Sequence, residues 1–321
     1  MDHSRRRFLE STTASMALAC LGADDPPKLP ARAFGKSGLT VSSLGFGSGS
    51  RFLMYEAEDA ALEALNRAID RGVTYIDTAH SYGNGRSEER VGKLMSAKRG
   101  EVTLATKIPG RKADQAKRQI ELSLKRLKTD HLDVLHIHAL AGEADLAAIE
   151  RPDGVLKAMY EARDQKVTRS IGITSHADPL ALKLALERHD FDCTQMALNA
   201  AMARMADLPG GMKLTPLARG GFEELALPVA VRKGMGVIAM KVFGQDQLPG
   251  VSPEKLLTYS LSLPVSLASC GMPRLEFLDK NIEVARAFRP LSDEERRRLV
   301  DSIASERKLG MAEFFRDHRD A

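Results

Sequence analysis

The chain has no tryptophan and few aromatic residues of any kind, which together make up 5% of its 321 residues. Proteins that bind single-stranded nucleic acid stack the bases on aromatic side chains, so this composition argues against such a partner. Positive charge is not in large excess either. The formal net charge is only +4, and lysine and arginine are spread along the chain. We therefore expect no nucleic-acid partner.

Cysteine is also scarce, with three residues at positions 20, 193 and 270. An odd number without Cys-x-x-Cys spacing argues against a disulfide framework and against a cysteine-rich metal site. Cys193 and Cys270 lie in apolar runs, which is typical of small buried residues. No apolar run reaches the ~20 residues that a membrane-spanning helix needs, so we expect a globular chain with no stable membrane span.

The first 30 residues resemble an export signal with a linker rather than part of a fold. The run SRRRFL at 4–9 precedes a modestly apolar stretch at 12–22. A charged region, an apolar region and small residues in this order resemble a twin-arginine signal, which directs folded proteins to an export machinery. The sequence ALA at 17–19 would be the cleavage site. Cys20 also permits lipid anchoring, although Ala17 fits a lipobox poorly.

The export signal predicts an exported, periplasmic protein that meets the twin-arginine export machinery. The alternative is a basic tail or a short helix with no targeting role. In both cases we exclude residues 1–30 from the fold and assign residues 31–321 to one domain.

Residues 31–321 alternate between short apolar strands and amphipathic helices. A glycine-containing turn first joins two extended runs at 32–41, as in a β-hairpin. The predicted strands then cover 42–48, 73–77, 102–107, 131–139, 169–175, 191–198, 235–242 and 264–270. The predicted helices cover 57–71, 87–97, 113–127, 154–165, 178–189, 222–233, a segment from 252, 274–288 and 292–306.

Eight strand–helix units in ~290 residues predict an α/β fold, a (β/α)8 TIM barrel with an N-terminal β-hairpin. Most of the strands are nearly continuous apolar runs, as expected where both faces of a strand are covered. No GxGxxG follows the first strand, so the open dinucleotide-binding sheet lacks its signature. Active sites of such barrels lie at the carboxyl ends of the strands. Loops at 139–154 and 199–221 are expected to shape the pocket there.

Three polar residues end successive predicted strands: Asp77, Lys107 and His138. Tyr82 follows five residues after Asp77, in the next loop. A lysine at the end of an apolar strand needs a partner for its charge. An ammonium near a tyrosine stabilises the phenolate and brings a pKa of about 10 towards neutrality. Such a phenol would protonate an oxygen while a carbonyl accepts a hydride.

These residues lie in motifs that resemble the aldo-keto reductase family, and the resemblance covers nearly all of 31–321. GKSGLTVSSLGFG resembles the family's opening hairpin, and DTAHSYGNGRSEERVG resembles its D-T-A-x-x-Y-G…S-E-x-x-[LV]-G signature. The segments TK at 106–107 and LDVLHIH at 132–138 supply the remaining positions. The resemblance implies four catalytic residues, which are Asp77, Tyr82, Lys107 and His138. It also implies hydride transfer to an aldehyde or ketone, or from the matching alcohol, with Tyr82 as the proton donor.

The resemblance also implies a nicotinamide nucleotide, NADP(H) in preference to NAD(H), because a guanidinium at Arg274 suits a 2′-phosphate better than a hydroxyl. The implied cofactor-binding residues are Thr174, Ser175, Gln195, Met240, Lys241, Gly271, Arg274 and Asn281. Met240 and Lys241 stand where many members carry an aromatic residue. His176 and Asn199 are candidates for the substrate pocket.

Two other function classes compete with this interpretation. His136, His138, His176 and Asp77 together resemble the ligands of a metal-dependent TIM-barrel hydrolase. That hypothesis leaves Tyr82 and Lys107 without a role. A cofactor-sensing binding protein is the third class, and an export signal argues against the cytosolic partner it would need.

Overall fold

The structure is a computed structural model, and it describes residues 29–201, 221–244, 248 and 250–303. The proposed export signal, including Cys20, lies outside the described residues except for its last two positions. Most of the predicted loop at 199–221 and the end of the last predicted helix also lie outside them. Within the described residues no helix is long and apolar enough to cross a membrane.

Two antiparallel strands form the predicted hairpin, and eight parallel strands close into the predicted barrel. The hairpin consists of β1 (Ala31–Ala33) and β2 (Thr40–Ser42), and Ala31 pairs with Ser42. The barrel strands are β3 (Leu44–Gly47), β4 (Tyr75–Asp77), β5 (Thr103–Ile108), β6 (Leu132–Ile137), β7 (Thr168–Ser175), β8 (Cys193–Ala197), β9 (Gly236–Met240) and β10 (Leu267–Cys270). Each strand pairs with its neighbour in the chain, and β10 pairs with β3 to close the ring.

The barrel interior is filled by side chains at the end where the hairpin lies. Phe34 and Val41 of the hairpin pack against buried barrel residues, which are Tyr75, Ala105, Val134, Cys193, Ile238 and Leu267. This cluster plugs the amino end of the barrel, and a packed core is what the fold requires. The carboxyl ends of the strands are thereby left as the open mouth.

A second, larger core lies between the barrel and the surrounding helices. The helices of the described residues are α1 (Ser50–Leu53), α2 (Glu58–Asp70), α3 (Arg86–Lys98), α4 (Ala113–Leu127), α5 (Glu143–Ile149), α6 (Val155–Asp164), α7 (Pro179–Arg188), α8 (Phe222–Leu225), α9 (Leu227–Arg232), α10 (Pro253–Ser262), α11 (Leu275–Arg286) and α12 (Asp293–Ser302). Three of the predicted helix starts have side-chain caps, since Asp178, Ser252 and Ser292 each accept a bond from a first-turn N–H.

The helices differ from the prediction in two respects. The single helix predicted over 222–233 is two helices, α8 and α9, which meet at Ala226. Pro228 lies in the first turn of α9, where its missing N–H is tolerated, whereas inside a continuous helix it would remove a hydrogen bond. The short helices α1 and α5 lie in segments that the sequence assigned to loops.

Candidate active site

The four predicted catalytic residues come from three adjacent strands and one loop. Asp77 ends β4, Lys107 is the penultimate residue of β5, and His138 directly follows β6. In the parallel register Asp77 pairs with Ala105, and Lys107 pairs with His136. Because the three strands are neighbours in the barrel, their ends converge on one side of the mouth.

Lys107 is the centre of this group and is almost completely buried, with 1% of its surface exposed. Its Nζ donates to Oδ2 of Asp77 at 2.8 Å, to the Thr78 carbonyl at 2.7 Å and to Oη of Tyr82 at 3.2 Å. An ammonium has three donors, so all three are used. This satisfies the requirement that a buried charge be paired and hydrogen-bonded.

Asp77 is also buried and connects the lysine to the opposite side of the barrel. Its Oδ2 accepts from Nε2 of Gln195 at 3.2 Å and from Oγ of Ser269 at 3.4 Å. Its second oxygen, Oδ1, has no hydrogen-bond partner within the described chain, and neither has Oε1 of Gln195. Buried acceptors of this kind are normally satisfied, so these two atoms indicate a place for donors from a bound molecule.

Tyr82 lies close to the lysine because its loop folds back on itself. Tyr82 begins a 3-10 turn (Tyr82–Gly85) in which Gly83, Asn84 and Gly85 all have left-handed φ angles of 57°, 57° and 97°. Glycine at two of the three positions lowers the cost of that backbone. The turn places the Tyr82 ring 4.8 Å from Nζ of Lys107 and edge-on to the His138 ring, with 5.5 Å between centroids.

His138 is held by its backbone. Arg111 donates from Nη2 to the carbonyl oxygens of His138 at 2.9 Å and Ala139 at 3.1 Å, and it forms an ion pair with Asp145 at 2.7 Å. The Ala139 N–H donates to Oγ1 of Thr174 at 2.8 Å. These contacts from two neighbouring segments fix the point where the chain leaves β6.

His136, the neighbour of Lys107 in the sheet, is fully buried and both of its ring nitrogens lack a hydrogen-bond partner in the described chain. Burial lowers the pKa of His136 well below its ordinary value, and Lys107 and His138 add to this effect.

The metal-hydrolase alternative gains no support, because no group of three or more His, Cys, Asp or Glu residues in the described ranges could hold a metal.

A cavity of about 610 Å³ lies at the mouth of the barrel beside Asp77 and Tyr82. Six of the eight predicted cofactor-binding residues line it: Gln195, Met240, Lys241, Gly271, Arg274 and Asn281. Lys107 and His138 lie behind this wall, in contact with Tyr82. The cavity therefore brings the predicted cofactor residues and the catalytic tyrosine candidate to one space.

Besides Lys107 and His138, four predicted residues are not among those that line the cavity. Thr174 is engaged with Ala139, and Oγ of Ser175 donates to the Leu140 carbonyl at 2.8 Å. Oδ1 of Asn199 accepts from the Ala201 N–H at 3.1 Å. His176 directly follows β7 and is buried. Cofactor contacts from Thr174 and Ser175, and substrate contacts from His176 and Asn199, therefore stay predictions.

Several cavity residues escape the sequence reasoning. Arg51 lies in α1, Met54 directly follows it, and Ser269 lies in β10. An aromatic residue is also present after the seventh barrel strand, because Phe243 lines the cavity three residues beyond Met240. The family resemblance places only Met240 and Lys241 in this region, but the aromatic residue in KVFG just past the strand is a signal that could have identified Phe243.

Comparison with known proteins agrees with this fold. A model of the Aldo/keto reductase family matches residues 43–255. The "Uncharacterized oxidoreductase YqkF" of Bacillus subtilis is 29% identical over 296 residues, which is 82% of this chain and 93% of that protein.

Two solved structures share the fold. The holo form of aldo-keto reductase AKR11C1 from Bacillus halodurans has a TM-score of 0.69 and 22% identity, covering 87% of this chain and 99% of the other. An aldo-keto reductase from Klebsiella pneumoniae, solved in complex with NADPH, has a TM-score of 0.67 and 24% identity, covering 85% and 94%. From the family match, the relatives and the barrel with its mouth-side site, we conclude that this chain is an oxidoreductase that belongs to the aldo/keto reductase family.

Proposed function

We propose that this protein reduces an aldehyde or ketone with NADPH, or oxidises the matching alcohol with NADP⁺, and that Tyr82 transfers the proton. The observation that carries the proposal is the 3.2 Å contact between Oη of Tyr82 and the buried Nζ of Lys107 at the wall of the cavity. A phenol needs a stabilised conjugate base to act as an acid near neutral pH, and this ammonium supplies that stabilisation.

Each of the four residues has one task in the proposed reaction. Tyr82 donates its proton to the carbonyl oxygen as negative charge develops there. Lys107 stabilises the phenolate that remains, and Asp77 holds the lysine charged and in place. His138, edge-on to the Tyr82 ring, orients the carbonyl oxygen and helps to stabilise its charge. When bound, the nicotinamide nucleotide supplies or accepts the hydride.

The cavity residues fit a dinucleotide phosphate. Three cationic side chains line it, from Arg51, Lys241 and Arg274, and they suit the phosphates of such a ligand. The unpartnered oxygens of Asp77 and Gln195 would accept hydrogen bonds from the hydroxyl and amide groups at the nicotinamide end. The complex of the Klebsiella pneumoniae relative with NADPH supports the same choice of cofactor.

The first test is Tyr82→Phe. This variant should bind NADPH with unchanged affinity, measured by quenching of nucleotide fluorescence, and lose on the order of 10²–10⁴ in kcat across a panel of aldehydes, ketones and sugars. Tyr75→Phe is the matched control, because Tyr75 is buried at the closed end of the barrel and its hydroxyl has no partner within the described chain. Full turnover by Tyr82→Phe would refute the assignment.

The preference for NADP(H) rests on Arg274, whose guanidinium lies on the Phe277 ring at 4.8 Å and lines the cavity. Wild-type protein should bind NADPH more tightly than NADH, and Arg274→Met should remove most of the difference by weakening NADPH alone. Equal affinities in the wild type would contradict the preference.

Export through the twin-arginine machinery to the periplasm is a separate proposal, which rests on the order of residues at the N-terminus. Cells that express the full chain should release it with the periplasmic fraction. Replacing Arg5 and Arg6 by lysine should retain the protein in the cytoplasm. An unchanged amount of protein in the periplasmic fraction of this variant would contradict the proposal.

A further inference from the structure

An ion pair between a partly buried arginine and a fully buried glutamate lies behind the loop that carries Tyr82, outside the cavity. Glu88, in the first turn of α3, has no exposed surface, and Arg126 lies in the last turn of α4. Nη1 of Arg126 is 3.3 Å from Oε2 of Glu88. A fully buried carboxylate is costly unless it is paired and hydrogen-bonded, so this pair needs a structural or functional reason.

Arg126 contacts the backbone on both sides of Tyr82. Its guanidinium donates to the carbonyl oxygen of His80 at 3.2 Å, two residues before the tyrosine, and to that of Asn84 at 3.4 Å, two residues after it. The guanidinium also packs directly on the turn, because a Cβ at Gly85 would overlap it. A planar group with several fixed donors is suited to holding two carbonyls at once.

Glu88 extends the contact to the strand that carries Lys107. Its Oε1 accepts from Oγ1 of Thr106 at 2.7 Å, and Thr106 directly precedes the lysine in β5. The path Arg126–Glu88–Thr106 therefore connects the loop of Tyr82 to the strand of Lys107. It provides a second connection between the two residues, independent of their direct contact.

We propose that Arg126, through Glu88 and the 80–84 backbone, is a positioning residue that sets the distance between Oη of Tyr82 and Nζ of Lys107. The inference rests on the proposed function, since it assigns Arg126 a role in proton transfer by Tyr82. Of the three residues with left-handed φ angles after Tyr82, Asn84 is not a glycine, and a non-glycine residue keeps such a backbone only where its surroundings hold it. Without Arg126 the phenol keeps its chemistry but loses its fixed place.

The test compares Arg126→Met with Arg118→Met, an exposed arginine on the same helix. Arg126→Met should lower kcat by roughly tenfold to a hundredfold, as expected for a displaced reacting group. The KM for the carbonyl and the affinity for NADPH should change by less than about twofold, because no group that binds them is removed. Arg118→Met should match the wild type in all three measurements.

Arg126→Lys separates two effects of Arg126, the positioning of Tyr82 and the neutralisation of Glu88. It also tests the proposal if Arg126→Met does not fold. Lysine keeps the charge that Glu88 needs but cannot reach both carbonyls in a fixed plane, so kcat should still fall about tenfold. Wild-type kcat in Arg126→Lys overturns the inference. A wild-type protein that neither binds NADPH nor reduces any carbonyl refutes the proposed function instead, so the two failures are distinguishable.

Discussion

Removing the ammonium of Lys107 should separate its structural role from its proposed catalytic role. Lys107→Met leaves the carboxylate of Asp77 buried without its charge partner, since the pair at 2.8 Å is nearly inaccessible on both sides. Breaking a buried pair on one side typically costs about 3–5 kcal/mol of stability. We therefore expect Lys107→Met to lower the free energy of unfolding by about that amount, and to abolish most turnover because the Tyr82 phenolate loses its cation.

The double variant Asp77→Asn/Lys107→Met makes this expectation specific. With both charges gone, no uncompensated ion is left in the barrel mouth, so the double variant should be more stable than Lys107→Met alone. Its turnover should stay low, because neutralising Asp77 does not restore the cation next to Tyr82. Stability would then recover from the single to the double variant, whereas activity would not.

Urea unfolding gives the stabilities, and oxidation of NADPH with an accepted carbonyl gives the rates. Lys125→Met on the exposed face of α4 is the control for the loss of one lysine. Two results would refute the reasoning. One is a loss of less than about 1 kcal/mol in Lys107→Met, the range of an exposed pair. The other is a double variant whose loss equals the sum of the two single losses.

Two further predictions concern residues around the site. His136→Leu should flatten the pH dependence of stability. Burial holds the pKa of His136 far below its ordinary value of 6.5, so below that pH the unfolded chain takes up a proton that the folded chain does not, at up to about 1.4 kcal/mol per pH unit. Parallel urea-unfolding curves against pH for variant and wild type would contradict this. Ser87→Ala should lower the free energy of unfolding by about 1–3 kcal/mol, because Oγ of Ser87 forms hydrogen bonds with Thr78 Oγ1 and with the Ser48 carbonyl, each at 2.7 Å. A change in stability within about 0.5 kcal/mol in a thermal melt would contradict this prediction.

The barrel could be predicted because its signal is repeated eight times. Apolar runs of strand length alternate with amphipathic segments of helix length, and errors at single boundaries do not change that count. The elements that this pattern fails to predict are helices that are short or interrupted. The four residues of α1 and seven of α5 are too few for a helical period to show, and Pro228 divides a predicted helix whose apolar pattern continues on both sides of it.

The position of the site could also be predicted from the sequence, whereas the hydrogen-bond partners of its residues could not. Strand ends at Asp77 and Lys107 meet at the barrel mouth because parallel strands share an edge. Ser269, which donates to Asp77, is 192 residues away in the chain and looks like any serine in an apolar run. Thr174 illustrates the converse, because its motif implies a cofactor contact while its Oγ1 accepts from the Ala139 backbone. A hydroxyl that accepts one hydrogen bond can still donate another, so the cofactor contact of Thr174 stays a prediction.

The Arg126–Glu88 contact also cannot be predicted from the sequence, although both residues lie in or near recognised motifs. Glu88 belongs to the motif that contains Tyr82, and Arg126 precedes the fourth barrel strand by a few residues, so the two residues are 38 positions apart in the chain. The periodicity of one helix predicts contacts between residues three or four positions apart. It does not predict which residues of two neighbouring helices contact each other. Yet Tyr82, the proposed proton donor, begins a turn whose next three residues have left-handed φ angles, and the strand ends alone do not fix that turn. We therefore expect the position of Tyr82 to depend on the Arg126–Glu88 pair, and rate differences among family members that share the four proposed catalytic residues to follow differences at that pair.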